Sequence, residues 1–95
     1  MSKSPLMEIP FVGRSIATDF EDLGVRVVDD LRGRDPAELY EALCDLRGAH
    51  IDRCVLYVFR SSVYYAETSS PDPELVKWWN WKTRVHPNET AGSVG

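Results

Sequence analysis

Residues 9–25, IPFVGRSIATDFEDLGV, have a spacing of residue types that can bind an anion through the main chain. An apolar residue and a proline precede Gly13, and Ala17 belongs to a helical apolar face, with Ile16, Phe20 and Leu23, that Gly24 closes. This spacing is typical of two short helices joined by a tight turn, the helix-hairpin-helix motif. The turn exposes backbone N–H groups beside the second helix's N-terminus, where the helix dipole is positive. The predicted chemistry is the binding of one nucleic-acid phosphate, a contact that does not depend on the base sequence.

The predicted phosphate-binding residues are Phe11, Val12, Gly13, Arg14 and Ser15. We expect Val12 to insert between the helices, Gly13 to supply the sharp turn, and Arg14 and Ser15 to add donors. Phe11 departs from the usual pattern, in which a glycine takes a positive φ and lets the main chain approach a phosphate. Either the turn is recast, or Phe11 points outward and meets an apolar surface. A second interpretation makes the hairpin only a folding unit or a protein contact.

Trp78, Trp79 and Trp81 place three indoles within four positions near the end of the chain. On a helix, successive residues lie about 100° apart, so the three rings cannot all face one core. One or two are expected to seal the bundle, each burying about 150–250 Å². An indole left exposed beside Lys77 or Lys82 would offer a stacking surface for a base or an anchor for a protein partner.

The sequence offers few residues for catalysis or metal binding. Cys44, His50 and Cys54 lack a Cys-x-x-Cys pair, and a fourth metal ligand would have to be His86. Each cysteine lies among apolar residues of a predicted helix, which favours a reduced core thiol over a nucleophile. The sequence contains no carboxylate pair, Gly-rich nucleotide loop or Ser/His/Asp set. We therefore expect no enzymatic activity, no metal and no cofactor.

Caps and breakers divide the chain into a succession of helices. The clearest start is Asp35 followed by Pro36, because aspartate caps a helix and proline suits its first turn, and Gly48 is the matching stop. The predicted helices cover residues 5–9, 14–24, 27–32, 35–48, 52–67 and 72–82. The helix at 52–67 is rich in β-branched and aromatic residues, but its length exceeds that of an ordinary strand. We therefore expect an all-α, compact bundle of five to six helices.

Composition and charge limit the class of protein. The chain has 95 residues, a hydrophobic content of 43% and a net charge of −4. These values suit one globular domain, which we place at residues 1–83, with a flexible tail at 84–95. Tight non-specific DNA binders usually carry a basic excess, because counterion release supplies most of their affinity, so we expect weak DNA binding. The chain lacks an apolar run of roughly 20 residues and a secretory signal pattern, which predicts a cytoplasmic protein with no membrane contact.

A wider set of segments resembles a known family. Besides residues 9–25, the segments are DLRGRDPAELY at 30–40, DRCVLYVFR at 52–60, VYYA at 63–66, PDPEL at 71–75 and KWWNWK at 77–82. In these the chain is similar to small bacterial helix-hairpin-helix proteins that are catalogued as pathogenicity-locus proteins and often labelled mitomycin resistance protein. The resemblance covers residues 9–82. It implies an all-α fold with a motif like that of DNA-repair proteins, and it identifies no reaction.

Two functions from different classes fit these observations. The hairpin pattern favours a small accessory protein that binds the DNA phosphate backbone weakly and without base specificity, with a link to DNA damage or mitomycin resistance. The acidic balance, Phe11 and the surplus tryptophans favour a protein-interaction module, either a homodimer or an adaptor, in which the hairpin is structural.

Overall fold

The computed structural model describes residues 4–89, and all regular secondary structure in this range is helical. Three α-helices form, namely α1 (Arg14–Asp22), α2 (Pro36–Arg47) and α3 (Arg53–Glu67). Four-residue 3₁₀ turns lie at Pro5–Glu8, Val28–Leu31 and Trp78–Trp81. The predicted all-α class is confirmed, but the predicted number of five to six helices is wrong, because three of the expected helices are single 3₁₀ turns. In the described range no helix combines the length and the apolar character needed to cross a membrane.

Local capping rules account for the bounds of α2 and α3. The carboxylate of Asp35 accepts hydrogen bonds from the N–H groups of Ala37, at 2.8 Å, and Glu38, at 3.3 Å. Asp52 caps α3 in the same way. Gly48 ends α2 in the left-handed conformation, with a φ of 66°, which glycine adopts without a Cβ penalty. Each side-chain cap contributes about 1 kcal/mol, so these helices are specified by short stretches of sequence.

The last predicted helix, over residues 72–82, does not form beyond its first turn. In a continuing helix the carbonyl oxygens of Glu74 and Leu75 would accept hydrogen bonds from backbone N–H groups four residues later. Instead, the side-chain amide of Asn80 donates to the Glu74 carbonyl at 2.6 Å. The indole N–H of Trp81 donates to the Leu75 carbonyl at 2.7 Å. The Glu74 carbonyl also accepts from the N–H of Lys77 at 3.3 Å, a bond across three residues, so neither carbonyl makes the four-residue bond of an α-helix and a separate 3₁₀ turn follows.

The core forms around α3, with α1 and α2 packed against it. Phe59 of α3 is fully buried and stacks on Phe20 of α1, with ring centroids 4.6 Å apart. Leu43 of α2 is also fully buried. At the surface, Arg47 of α2 binds two carboxylates of α1, as described below. The buried apolar residues besides these three are Leu6, Ile9, Val12, Ala17, Val25, Leu31, Leu39, Tyr40, Leu56, Val58, Val63 and Trp81.

Residues 84–89 lie against α3, although the sequence predicted a loose tail there. Buried Arg60 donates through Nε to Oε2 of Glu89 at 2.6 Å and through Nη2 to Oε1 at 3.0 Å. Its Nη1 donates to the carbonyl oxygen of Trp81 at 2.8 Å. The backbone N–H of His86 donates to the Glu89 carboxylate at 3.0 Å. These bonds hold residues 84–89 to the domain, and the rest of the predicted tail lies outside the described residues.

His86 should make stability depend on pH. Burial holds the pKa of His86 below its ordinary value, because desolvation of the imidazolium outweighs the attraction of Glu67 and Glu89. The unfolded chain therefore takes up a proton near pH ~6.5 that the folded chain accepts only at lower pH. We expect the free energy of unfolding to fall as the pH drops from about 7 to about 5.

Chemical denaturation at both pH values, on variants of each histidine, isolates this contribution. His86→Gln should lose less stability between the two pH values than the unmodified protein does. His50 is exposed, so His50→Gln should keep the full pH dependence and serves as the control. Equal pH dependence in both variants would show that His86 does not contribute.

Candidate nucleic-acid interface

A tight turn at residues 9–12 precedes α1. The N–H of Val12 donates to the carbonyl oxygen of Ile9 at 3.1 Å, and Phe11 adopts a φ of 67°. Proline at the second position and a positive φ at the third are features of a type II turn, which favours glycine at the third position. Phe11 therefore takes the backbone conformation that glycine adopts at low cost. A non-glycine residue pays about 1–2 kcal/mol for it.

Val12 packs as predicted but has no free N–H to offer an anion, and Gly13 does not play its predicted part. Val12 is 5% exposed and packs in the core, as expected, but its N–H is occupied by Ile9 and cannot bind an anion. Gly13 was expected to supply the sharp turn, but its φ of −95° and ψ of −169° are extended values that any residue adopts. A Cβ atom added at Gly13 would meet nothing within 4 Å. The turn therefore depends on Phe11, and the fold does not require glycine at position 13.

The start of α1 has donors that remain free within residues 4–89. Gly13 is the N-cap residue and makes no side-chain capping bond. The backbone N–H groups of Gly13, Arg14 and Ser15 have no acceptor in the described part of the chain, and all three residues are exposed. The first N–H groups of a helix lack internal partners and lie at the positive end of its dipole. Their arrangement suits an oxyanion.

Phe11 points outward and meets an apolar surface, the second of the two alternatives considered from the sequence. Its side chain is 52% exposed, and its ring makes an edge contact with Trp79, with centroids 5.2 Å apart and planes at 71°. Edge-to-face pairs of this kind contribute about 0.5–1.5 kcal/mol beyond their area burial. The turn before α1 and the tryptophan segment, which lie far apart in the sequence, thus form one surface.

The three indoles lie in three different environments. Trp81 is 3% exposed, stacks on His86 and donates its indole N–H inward, so it offers no free face. Trp78 is half-buried against the core. Trp79 is 42% exposed. Of the three predicted stacking residues, Trp79 is the most accessible and Trp81 is not available.

A lysine lies beside each of the two neighbouring indoles, Trp79 and Trp78. The Nζ of Lys77 lies 6.0 Å from the ring centroid of Trp79, and the Nζ of Lys82 lies 5.7 Å from that of Trp78. Trp78 and Trp79 meet edge to face, with centroids 5.6 Å apart. We call the surface formed by Phe11, Trp78, Trp79, Lys77 and Lys82 the aromatic platform. It alternates apolar rings with cations and lies beside the turn that leads into α1.

Acidic residues of α1 are partly neutralised. Arg47 of α2 donates to Asp19 at 2.7 Å and to Asp22 at 2.8 Å, and these bonds raise the pKa of Arg47 above its ordinary value. Arg14, at the opposite end of α1, makes no ion pair within the described residues. Within the described residues, the beginning of α1 therefore keeps an unpaired cation, while Arg47 offsets one of the three negative charges of Asp19, Glu21 and Asp22.

The cysteines give no sign of a reactive or metal-binding centre. Cys44 is half-buried, whereas Cys54 is exposed at the start of α3, so the expectation that both are core residues is wrong for Cys54. A hydrogen bond to the Asp52 carboxylate raises the pKa of the Cys54 thiol, which disfavours the nucleophilic thiolate. Within residues 4–89, no group of three or more His, Cys, Asp and Glu side chains is arranged to hold a metal ion.

Comparison with known sequences places the chain in a protein family. A family model described as "Pathogenicity locus" matches residues 2–86. The chain belongs to the pathogenicity-locus family. The match includes both the turn before α1 and the tryptophan segment, so both parts of the candidate interface lie within the residues that the family model covers.

A named relative of this pathogenicity-locus protein is also identifiable. "Mitomycin resistance protein McrB" of Streptomyces lavendulae is 38% identical to it over 78 residues, which are 82% of this chain and 70% of that protein. No solved structure matches the chain significantly. The similarity agrees with the family indicated by the sequence, and the relative's name refers to resistance to mitomycin.

Proposed function

We propose that this protein binds the phosphate backbone of nucleic acid, without base specificity, as a small accessory protein that is not an enzyme. The observation that carries the proposal is that the backbone N–H groups of Gly13, Arg14 and Ser15, three exposed residues, have no acceptor within residues 4–89. One phosphate oxygen bound there would receive backbone hydrogen bonds at the positive end of α1. The preceding turn and α1 would then act together as a helix-hairpin-helix.

Arg14 supports the same interpretation. It follows the N-cap directly, it is exposed, and it has no ion pair in the described part of the chain. A guanidinium beside helix-start N–H groups adds charge-assisted hydrogen bonds to a phosphate. The net charge of −4 makes long-range attraction to nucleic acid unfavourable, so we expect weak binding that low salt strengthens.

Arg14→Glu tests the proposal through a titration of labelled DNA followed by fluorescence anisotropy. At about 20 mM salt the unmodified protein should bind, and the logarithm of its affinity should fall linearly with the logarithm of salt concentration. Arg14→Glu should weaken binding about tenfold or more, since it removes a charge-assisted contact and adds repulsion.

Arg26→Glu is the matched control, because it makes the same change of charge at an exposed position beyond the opposite end of α1. It should weaken binding much less than Arg14→Glu does. Equal losses in the two variants would indicate diffuse attraction without a site at Gly13–Ser15. Absence of binding to both single-stranded and duplex DNA near 20 mM salt would refute the proposal.

The relative's name extends the proposal to a biological role. It is a mitomycin resistance protein by name, and we propose that this chain likewise contributes to resistance to mitomycin or to DNA damage. A strain that expresses the protein should survive mitomycin better than one without it. Arg14→Glu should reduce that protection if backbone binding is the cause.

A second candidate function is a protein-interaction module. The specific observation in its favour is the pair of exposed rings, Phe11 at 52% and Trp79 at 42%, since aromatic residues are enriched in protein interfaces. In this case the hairpin would be purely structural, and the rings would meet a second copy or another protein. Light scattering across a concentration series tests the homodimer: a mass that rises with concentration and returns to that of a monomer in Trp79→Ala would support it.

A further inference from the structure

We infer that the aromatic platform binds single-stranded nucleic acid, with unpaired bases stacked on Phe11 and Trp79. This inference rests on the proposed function and names the nucleic-acid form that it takes. Base–aromatic stacking needs an accessible ring, and 52% of Phe11 and 42% of Trp79 remain exposed. Because the two rings meet edge to face, their contact covers less ring surface than a stacked pair would.

The identity of the residue in the turn favours a single strand over a duplex. Glycine at position 11 would let the main chain approach a duplex backbone closely, and Phe11 places a ring there instead. In a duplex each base face is covered by its neighbours. A single strand has unstacked bases that can turn toward a ring, and its backbone can bend around the phenyl group. Phe11, which would keep a duplex backbone away from the turn, would thus contact the bases of a single strand.

The charges of the aromatic platform suit a polyanion. Its cations are Lys77 and Lys82. Lys77 pairs with the carboxylate of Glu74 at 3.1 Å. Lys82 makes no ion pair within residues 4–89. Lys77 lies beside the exposed ring of Trp79 and Lys82 beside the half-buried ring of Trp78, so this part of an acidic chain suits a ligand that supplies negative charge and flat bases together. Proteins that bind single strands combine these two features.

The test compares three labelled oligomers of about 15 units by fluorescence anisotropy at low salt: oligo-deoxythymidine, oligo-uridine and a mixed-sequence duplex. We expect at least one single strand to bind about tenfold more tightly than the duplex does. A tighter thymidine or uridine arm identifies DNA or RNA as the preferred strand. An abasic oligomer of the same length should bind at least about fivefold more weakly than the thymidine oligomer, because it lacks stacking bases.

Two variants separate stacking from charge. Trp79→Ala should weaken single-strand binding about tenfold and leave duplex binding unchanged. Phe11→Gly should also weaken single-strand binding and should strengthen duplex binding, because it restores glycine to the turn. Leu46→Ala, at an apolar side chain that is 53% exposed on α2, should change neither and is the control. Circular dichroism melting checks that all three variants fold.

The possible failures are distinguishable. Duplex binding equal to or tighter than single-strand binding would overturn this inference and leave the proposed backbone binding intact. So would abasic binding equal to that of the thymidine oligomer, or single-strand binding unchanged by Trp79→Ala and Phe11→Gly. Absence of binding to all the oligomers would overturn both the inference and the proposed function.

Discussion

Glu89→Ala is expected to lower the free energy of unfolding by about 3–5 kcal/mol, a large share of the roughly 5–15 kcal/mol typical of a domain. The side chain of Glu89 is 3% exposed and that of Arg60 is 8% exposed. Removal of the carboxylate would leave the guanidinium buried without its counter-charge. The N–H of His86 would also lose its acceptor. Urea denaturation followed by circular dichroism measures the change.

Two control variants test whether the loss in Glu89→Ala comes from the buried ion pair. Glu74→Ala breaks an exposed ion pair with Lys77 and should cost less than about 1 kcal/mol. The double variant Arg60→Met with Glu89→Leu removes both charges and should recover most of the loss, because a buried pair can be replaced by apolar residues of similar volume. A cost below about 1 kcal/mol for Glu89→Ala would mean that residues 84–89 do not hold Arg60 in solution.

Phe20→Ala is the second substitution with a large expected effect, a loss of about 3–5 kcal/mol. Phe20 is fully buried and stacks on Phe59, so its removal leaves a cavity between α1 and α3. The site cannot refill readily, because both rings lie among other fully buried side chains. Thermal and urea denaturation should both report the loss.

Phe11→Gly is the matched control for Phe20→Ala, since it removes the same side chain from the surface. It relieves a positive φ, which favours the variant by about 1–2 kcal/mol, and it loses the edge contact with Trp79, worth about 0.5–1.5 kcal/mol. The net change should lie within about 1 kcal/mol of zero. A loss near that of Phe20→Ala would show that Phe11 supports the fold and is not free to serve a ligand.

The two destabilising variants also serve as folding controls for the binding experiments. Glu89→Ala and Phe20→Ala are expected to weaken the fold, and neither residue belongs to the aromatic platform or to Gly13–Ser15. A weaker binding signal in these variants would reflect a smaller folded fraction. Loss of binding in Arg14→Glu or Trp79→Ala with unchanged melting therefore points to the interface itself.

The sequence was informative about the candidate site where local geometry governs it. The pattern in residues 9–25 predicted a turn followed by a helix, and α1 begins at Arg14 as expected. It assigned the turn to Gly13, whereas Phe11 carries the positive φ. Pattern matching cannot settle which residue bends the chain when the expected glycine is absent. The sequence pattern also could not predict the contact between Phe11 and Trp79, because no local rule links positions so far apart.

The sequence by itself determined the all-α class and the bounds of α2 and α3. Asp35, Asp52 and Gly48 act on N–H and C=O groups within a few residues, so their effect does not depend on the rest of the chain. The length of the segment at 52–67 likewise predicted a helix in spite of its β-branched and aromatic residues, and α3 forms over Arg53–Glu67.

Only the tertiary structure decided how the last part of the chain is held. Asn80 and Trp81 take backbone acceptors that a helix needs, and Arg60 holds Glu89 from a position 29 residues earlier. The reason is physical: a side-chain donor binds whichever acceptor packing brings within reach. Asn80 and Trp81 reach carbonyls six residues earlier, where helix propensity alone predicts backbone bonds, and Arg60 meets Glu89 only after folding brings residues 84–89 against α3.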